Sequence, residues 1–366
     1  MVDTKLDLCS VAPSVEQIDD ILKSRLDGGE LSDEDVATLL TSENDDECRA
    51  RIMRAAQDMR THNFGTLIYL YGFVYYSTYC KNDCSFCYYR RSNTELPRYR
   101  KSIDETVEVA KRLAESGVNL IDLTMGEDPK FLDDPEALPA LITKVKLATG
   151  LPIMVSPGLL DSKGIEQLAA NGADWYALYQ ETYDKQRFEG LRIGQSAAKR
   201  LLAKRHAATS GLLIEEGLLC GLGESHEELL RSLQALRLID AAQVRVMTFV
   251  PQSGTPLAHL PATTARRETL LIAIMRLMFP DRLIPASLDV EGLSGLRARL
   301  DAGANVVTSL IPPDSGLAGV ANASADITNG YRTVAGVSET LEEAGLEAAT
   351  PLDYVRWLEV AKWKRS

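Results

Sequence analysis

Residues 67–77 read LIYLYGFVYYS, and residues 79–91 read YCKNDCSFCYYRR. The first is an apolar run of strand length, rich in aromatic and branched residues. The second sets three of the chain's six cysteines at Cys80, Cys84 and Cys87, a C-x3-C-x2-C spacing. The strand and the loop after it open a longer alternation. From Thr66 onward, apolar runs recur as NLIDLT (119–124), LPIMVSP (151–157), WYALYQ (175–180), LLIEEGLL (212–219), QVRVMTF (243–249), LIPASLDV (283–290) and NVVTSLI (305–311). The intervening stretches carry helical periodicity and start signals. SIDETVEVAKRLAESG opens with a capping box from Ser102 to Glu105 and closes at Gly117, and the pattern repeats from Ser225 to Glu228. Eight strands apolar on both faces, each followed by a helix, predict an α/β fold, a (β/α)8 TIM barrel, with an open doubly wound sheet as the alternative. The first sixty or so residues hold polar helices starting at Ser14 and Ser32 and no strands. This divides the chain into an N-terminal helical cap or collar at 1–62 and the barrel at 63–366.

Composition sets the outer limits. A chain of 366 residues with 45% hydrophobic and 25% charged residues can bury a sizeable core and is not disordered. It lacks a membrane-length apolar run, and its N-terminus has no signal-peptide centre, so a cytoplasmic location without a membrane partner is expected. The net charge of -12 disfavours a nucleic-acid partner. Only the run holding Arg90, Arg91, Arg98, Arg100 and Lys101 could form a basic patch.

In a reducing compartment, clustered cysteines point to metal or catalysis rather than disulfides. Barrel chemistry sits on the loops after the strands, where the triplet falls. Three thiolates suit a 4Fe-4S cluster with one iron left open, while a zinc ion completed by Cys220 or a histidine is the alternative. Cys9, Cys48 and Cys220 read as ordinary small residues. Asp122, Arg245, Ser287 and Asp289 stand inside apolar runs, where a buried charge needs a partner or a charged ligand. A mutual Arg–Asp ion pair is one reading. The other is a zwitterionic amino acid, with Arg245 on the carboxylate, Ser287 and Asp289 on the α-ammonium, and Asp122 on a second ammonium. Tyr75, Tyr76, Tyr79 and Met247 are further wall candidates.

YCKNDCSFCYYR, with an aromatic residue at Phe86, resembles the signature of radical S-adenosylmethionine enzymes. LIDLTMGEDP, ALYQETYD, LRIGQS, VRVMTFVPQSGTPL, LMFPDRLIPASLDVEG and AGANVVTSLIPPDS extend the likeness over nearly the whole chain. It is similar to the branch of biotin synthase and the hydrogenase-maturation enzymes, and within it to the methylornithine synthases of pyrrolysine biosynthesis. The resemblance implies a 4Fe-4S cluster on Cys80, Cys84 and Cys87, and S-adenosylmethionine held by Phe86, Gly126, Glu127, Asp128, Glu181 and Arg200. Gly217, Gly221 and Gly223 either let backbone approach the adenosyl group or only form turns. The implied reaction turns L-lysine into (3R)-3-methyl-D-ornithine by hydrogen abstraction, fragmentation and recombination, with no side chain as catalyst. It further implies an external electron donor such as flavodoxin or ferredoxin, and a monomer.

Overall fold

The computed structural model describes residues 13–313, 315, 319 and 331–365, so Cys9 and Asp314 of the last quoted motif lie outside it. Eight parallel strands follow one another around a barrel: β1 (Leu67–Ser77), β2 (Leu120–Met125), β3 (Ile153–Ser156), β4 (Trp175–Ala177), β5 (Leu213–Cys220), β6 (Gln243–Thr248), β7 (Pro285–Ser287) and β8 (Val306–Leu310). Hydrogen bonding runs in the order β6-β5-β4-β3-β2-β1-β8-β7, which excludes the doubly wound alternative. Every residue of β1 except Leu67 is buried, as a strand covered on both faces requires.

The closure is uneven. Between β6 and β7 the ladder is reduced to a single parallel bridge, Gln243 to Leu283. Side chains close this seam instead. Glu268, fully buried, accepts Thr248 N and Oγ1 at the end of β6, at 3.0 and 2.6 Å. The fully buried Arg299 donates to it through Nε and Nη2 at 2.6 and 2.9 Å, and also reaches Glu291 and the carbonyl of Gly295. One ion pair thus joins the end of β6 to the helices that follow β7.

The run at 283–290 does not stay extended. Ser287 caps a short helix, Leu288–Glu291, by accepting Asp289 N, and Gly292 ends it with a positive φ of 59°. Asp289 is therefore a helical residue just beyond its strand, a correction to the reading of 283–290 as one strand. A short β9 (Glu347–Ala348), absent from the sequence reading, pairs with the start of β1. After it, helix Pro351–Arg365 plugs the barrel's N-terminal end: Tyr354 Oη lies 2.8 Å from Tyr71 Oη, and Trp357 stacks on Trp175.

The N-terminal helices Val15–Leu26, Asp33–Thr41 and Asp46–Phe64 start at the caps Ser14, Ser32 and Asp45. They flank helix Arg266–Met278 along its length, with Arg49 donating to the carbonyl of Arg266 and Arg25 to that of Leu277. Their buried faces join the barrel's own hydrophobic core. Among the described residues no helix is long and apolar enough to cross a membrane.

Arg299→Met should leave Glu268 as an unpaired buried charge and lower stability in urea unfolding by about 3–5 kcal/mol. Adding Glu268→Leu should recover part of that loss, since an apolar pair can replace a buried ion pair at little cost. A loss below about 1 kcal/mol for the single variant would show that the seam does not depend on this pair.

Candidate functional site

At the C-terminal ends of the strands a cavity of about 1280 Å³, counted with its mouth, opens into the barrel. Cys80, Cys84 and Cys87 all line it. Their loop is bound at both ends. The backbone at 99–101 returns beside the end of β1, with Thr78 N donating to Tyr99 O and Lys101 N to Tyr76 O. Arg98 fills the loop's interior, donating to the carbonyls of Thr78, Tyr89, Arg90 and Asn93. Arg91 pairs with Asp83 at 2.7 Å. The basic run is thus spent largely on holding the loop. Burial pushes the Cys80 thiol up; burial also raises Cys87, and the neighbouring Cys84 and Cys80 raise it further. Three thiolates this crowded repel one another unless a cationic group binds them.

Gly126 lies directly under this loop: a Cβ there would come within 2.2 Å of Tyr79 O and 2.8 Å of Cys80 Cβ. Glu127 next to it folds over Gly158 and accepts Leu159 N at 3.0 Å. Glu181, just past β4, holds a left-handed φ of 68°, a costly conformation for a non-glycine residue. Its backbone bonds to β5 on both sides, through Gly217 O and Leu219 N, and its carboxylate meets Arg192 at 2.5 Å. Arg200, from helix Ala197–Thr209, donates to Tyr179 O at 2.5 Å and comes within 3.7 Å of Glu127, and its Nε has no partner. Burial, and then Arg192, pull its pKa down to about 10. Phe86 completes this wall. Asp128 does not. It is fully buried outside the cavity lining, where it takes Arg100 through Nε and Nη2 at 2.5 and 2.9 Å and Ser77 Oγ at 2.5 Å. In this structure Asp128 ties the segment that closes the cysteine loop to the end of β1.

Deeper in, Arg245 on β6 lines the cavity and Glu215 on β5 holds it, with Nε donating at 2.8 Å. The same carboxylate accepts Gln243 Nε2 at 2.6 Å and Tyr179 Oη at 2.7 Å. Burial opposes the charge on Arg245, but Glu215 prevails and raises its pKa. Asp122 lies one layer below Thr124 and Ser156, whose hydroxyls reach its Oδ1 at 2.8 and 3.4 Å. Burial, and then the charge of Glu215, push its pKa up to about 8. Asp122 Oδ2 and Arg245 Nη2 are both buried without a partner. The mutual Arg–Asp pair is therefore not what forms. Asp289 instead accepts Arg332 at 2.7 Å and Tyr75 Oη at 2.9 Å, and Ser287 is occupied as the helix cap. Tyr75 and Met247 line the cavity; Tyr76 packs on Phe131 outside, and Tyr79 lies under Arg100.

Residues 74–236 match the model of the radical SAM superfamily. A 3-methylornithine synthase from Methanosarcina barkeri is 44% identical over 341 residues, 93% of this chain and 97% of its own. Its counterpart from Methanosarcina acetivorans is 43% identical over the same shares. A crystal structure of a methylornithine synthase superposes with a TM-score of 0.88 at 44% identity, covering 92% of this chain and 99% of that one. The chain belongs to the methylornithine synthase family of radical SAM enzymes.

Radical SAM enzymes use a 4Fe-4S cluster and S-adenosylmethionine, and this member of the family has a donor set that fits both. Among the described residues no three His, Cys, Asp or Glu side chains converge as a single metal ion demands. A cluster relaxes that demand, because its thiolates bind different irons. Sequence reasoning missed Glu215, Arg192, Gln195 and Arg332. The first was visible only as a charge in an apolar run, Arg192 and Gln195 stood in the quoted LRIGQS without a role assigned, and Arg332 gave no signal of its own.

Asp128→Ala should release Arg100 and loosen the cysteine loop, lowering the urea stability of the metal-free protein by about 3 kcal/mol. An unchanged unfolding midpoint would contradict the anchoring role.

Proposed function

We propose that this chain is a methylornithine synthase that rearranges L-lysine into 3-methylornithine for pyrrolysine biosynthesis, reduced by an external one-electron donor of the flavodoxin or ferredoxin kind. The observation that carries the substrate assignment is the pair of unpartnered buried atoms, Asp122 Oδ2 and Arg245 Nη2: Arg245 lines the cavity, and Asp122 lies just beneath Thr124 and Ser156, which line it. A ligand with a carboxylate and a distal ammonium matches both, and lysine is such a ligand.

In this reading Cys80, Cys84 and Cys87 hold the cluster, and Gly126, Glu127, Glu181, Arg200 and Phe86 surround S-adenosylmethionine. Bound together, the two supply a 5′-deoxyadenosyl radical able to take hydrogen from an unactivated carbon. The chain's residues supply the rest. Glu215 fixes Arg245 through Nε and Thr308 Oγ1 accepts its Nη1 at 3.3 Å, so Nη2 is left for the substrate carboxylate in a set orientation. Asp289 has used only part of its acceptor capacity on Arg332 and Tyr75, and is left to receive the α-ammonium beside Ser287. Asp122 takes the ε-ammonium. Substrate and product are isomers, so the site adds and removes no group overall. Its tasks are to keep fragments in place and water out, which the buried side chains of the barrel interior support.

Anaerobic reconstitution should load about four irons per chain, and Ala at Cys80, Cys84 or Cys87 should prevent it. With reductant, S-adenosylmethionine and lysine, mass-resolved chromatography should detect methylornithine. Cofactor cleavage without conversion of lysine would overturn the substrate assignment alone, whereas a chain that takes up zinc and no iron would overturn the whole reading.

Asp122 also makes binding pH-dependent. Glu215 on β5 and Arg245 on β6 face it, with the neutral Thr124 and Ser156 on β2 and β3. With its pKa near 8, the free carboxyl is protonated at pH 6–7, and pairing with an ammonium requires the proton to leave. Lysine affinity should therefore rise with pH up to about 8, and binding at pH 7 should release a proton, seen as a buffer-dependent enthalpy in calorimetry. Asp122→Asn should abolish that dependence and cut turnover about tenfold or more. A flat pH profile in the unaltered protein would contradict the assignment.

A further inference from the structure

Gln195 stands between the thiols and the cofactor anchors. Its Nε2 lies 3.0 Å from Cys84 Sγ, while its Oε1 accepts Arg192 Nη1 and Arg200 Nη1, each at 3.2 Å. The amide has one tenable orientation, because turning it over would set its NH2 against two guanidinium groups and its oxygen against the sulfur. Both arginines are held in turn, Arg192 by Glu181 at 2.5 Å and Arg200 by the carbonyl of Tyr179 at 2.5 Å. Arg192 Nη1 adds a longer contact to the same sulfur at 3.9 Å. Among the described residues, Cys84 is the one thiol of the three with side-chain donors, while Cys80 meets the backbone of Asn82 and Glu127 and Cys87 that of Tyr89.

We propose that Gln195 is a positioning residue that sets the reduction potential of the cluster by donating a hydrogen bond to the Cys84 thiolate; this rests on reading the three cysteines as its ligands. A donor at a ligand sulfur withdraws electron density and favours the state with the extra electron, so it raises the potential. Two fixed arginines on the acceptor side make this a held donor rather than a passing contact.

The test is a one-electron titration of the reconstituted cluster, followed by electron paramagnetic resonance, in the unaltered protein, Gln195→Met and Gln195→Glu. Methionine keeps the length without an N–H. Glutamate keeps the acceptors for both arginines, and so the loop, but has no N–H to give. Iron content should stay at the unaltered level in both variants, and the reduction equilibrium should become at least about tenfold less favourable, ~59 mV lower for one electron. An unchanged potential in Gln195→Met or Gln195→Glu overturns the proposal. So does a folded variant pair that takes up no cluster, because a residue that only tunes the potential is not needed for assembly. If the unaltered protein holds no cluster, it is the cysteine assignment that has failed, which distinguishes the two.

Discussion

The interior of a parallel barrel is dry, so a charge that a strand carries inward has to be matched there. The matches in this chain organise its whole upper half. Arg299 with Glu268 replaces the missing ladder between β6 and β7. Arg100 with Asp128 fastens the return of the cysteine loop, and Arg192 with Glu181 steadies a residue held at positive φ. Arg332 brings the chain beyond β8 onto Asp289. Arg245 with Glu215 is buried at the cavity, and it leaves Nη2 of the guanidinium without a partner.

That incomplete matching is where structure turns into function. Asp122 and Arg245 lie within each other's electrostatic reach, yet each keeps an atom without a partner. In the proposed reading these two atoms are what meets the substrate. Strain at Glu181 and the burial that raises the Asp122 pKa have the same character, local costs of the kind that cluster at ligand sites.

The eight-strand alternation was legible because buried parallel strands leave uninterrupted apolar runs, and β1 ends at Ser77 as the sequence indicated. The short β9 carries too little pattern to be seen, and LIPASLDV hides the point where Ser287 turns a strand into a helix. Of the site, the cysteines and the inward charges could be read from local sequence. Their partners could not, because pairing across strands is set by register and loop packing. Glu215 looked like any charge in an apolar run, and Arg332 lies 43 residues beyond Asp289. Asp128 shows the same limit: nothing in MGED tells that Arg100 occupies its carboxylate.

The central claim is that the two unmatched atoms select a ligand bearing a carboxylate and a distal ammonium. Its most direct test is equilibrium binding to the reconstituted protein, with S-adenosylmethionine present, of L-lysine, L-norleucine and 1,5-diaminopentane. Norleucine lacks the distal ammonium and the diamine lacks the carboxylate. The account predicts that lysine binds and that each analogue binds at least about tenfold more weakly, the cost of a lost charged hydrogen bond. Norleucine binding as tightly as lysine would contradict it.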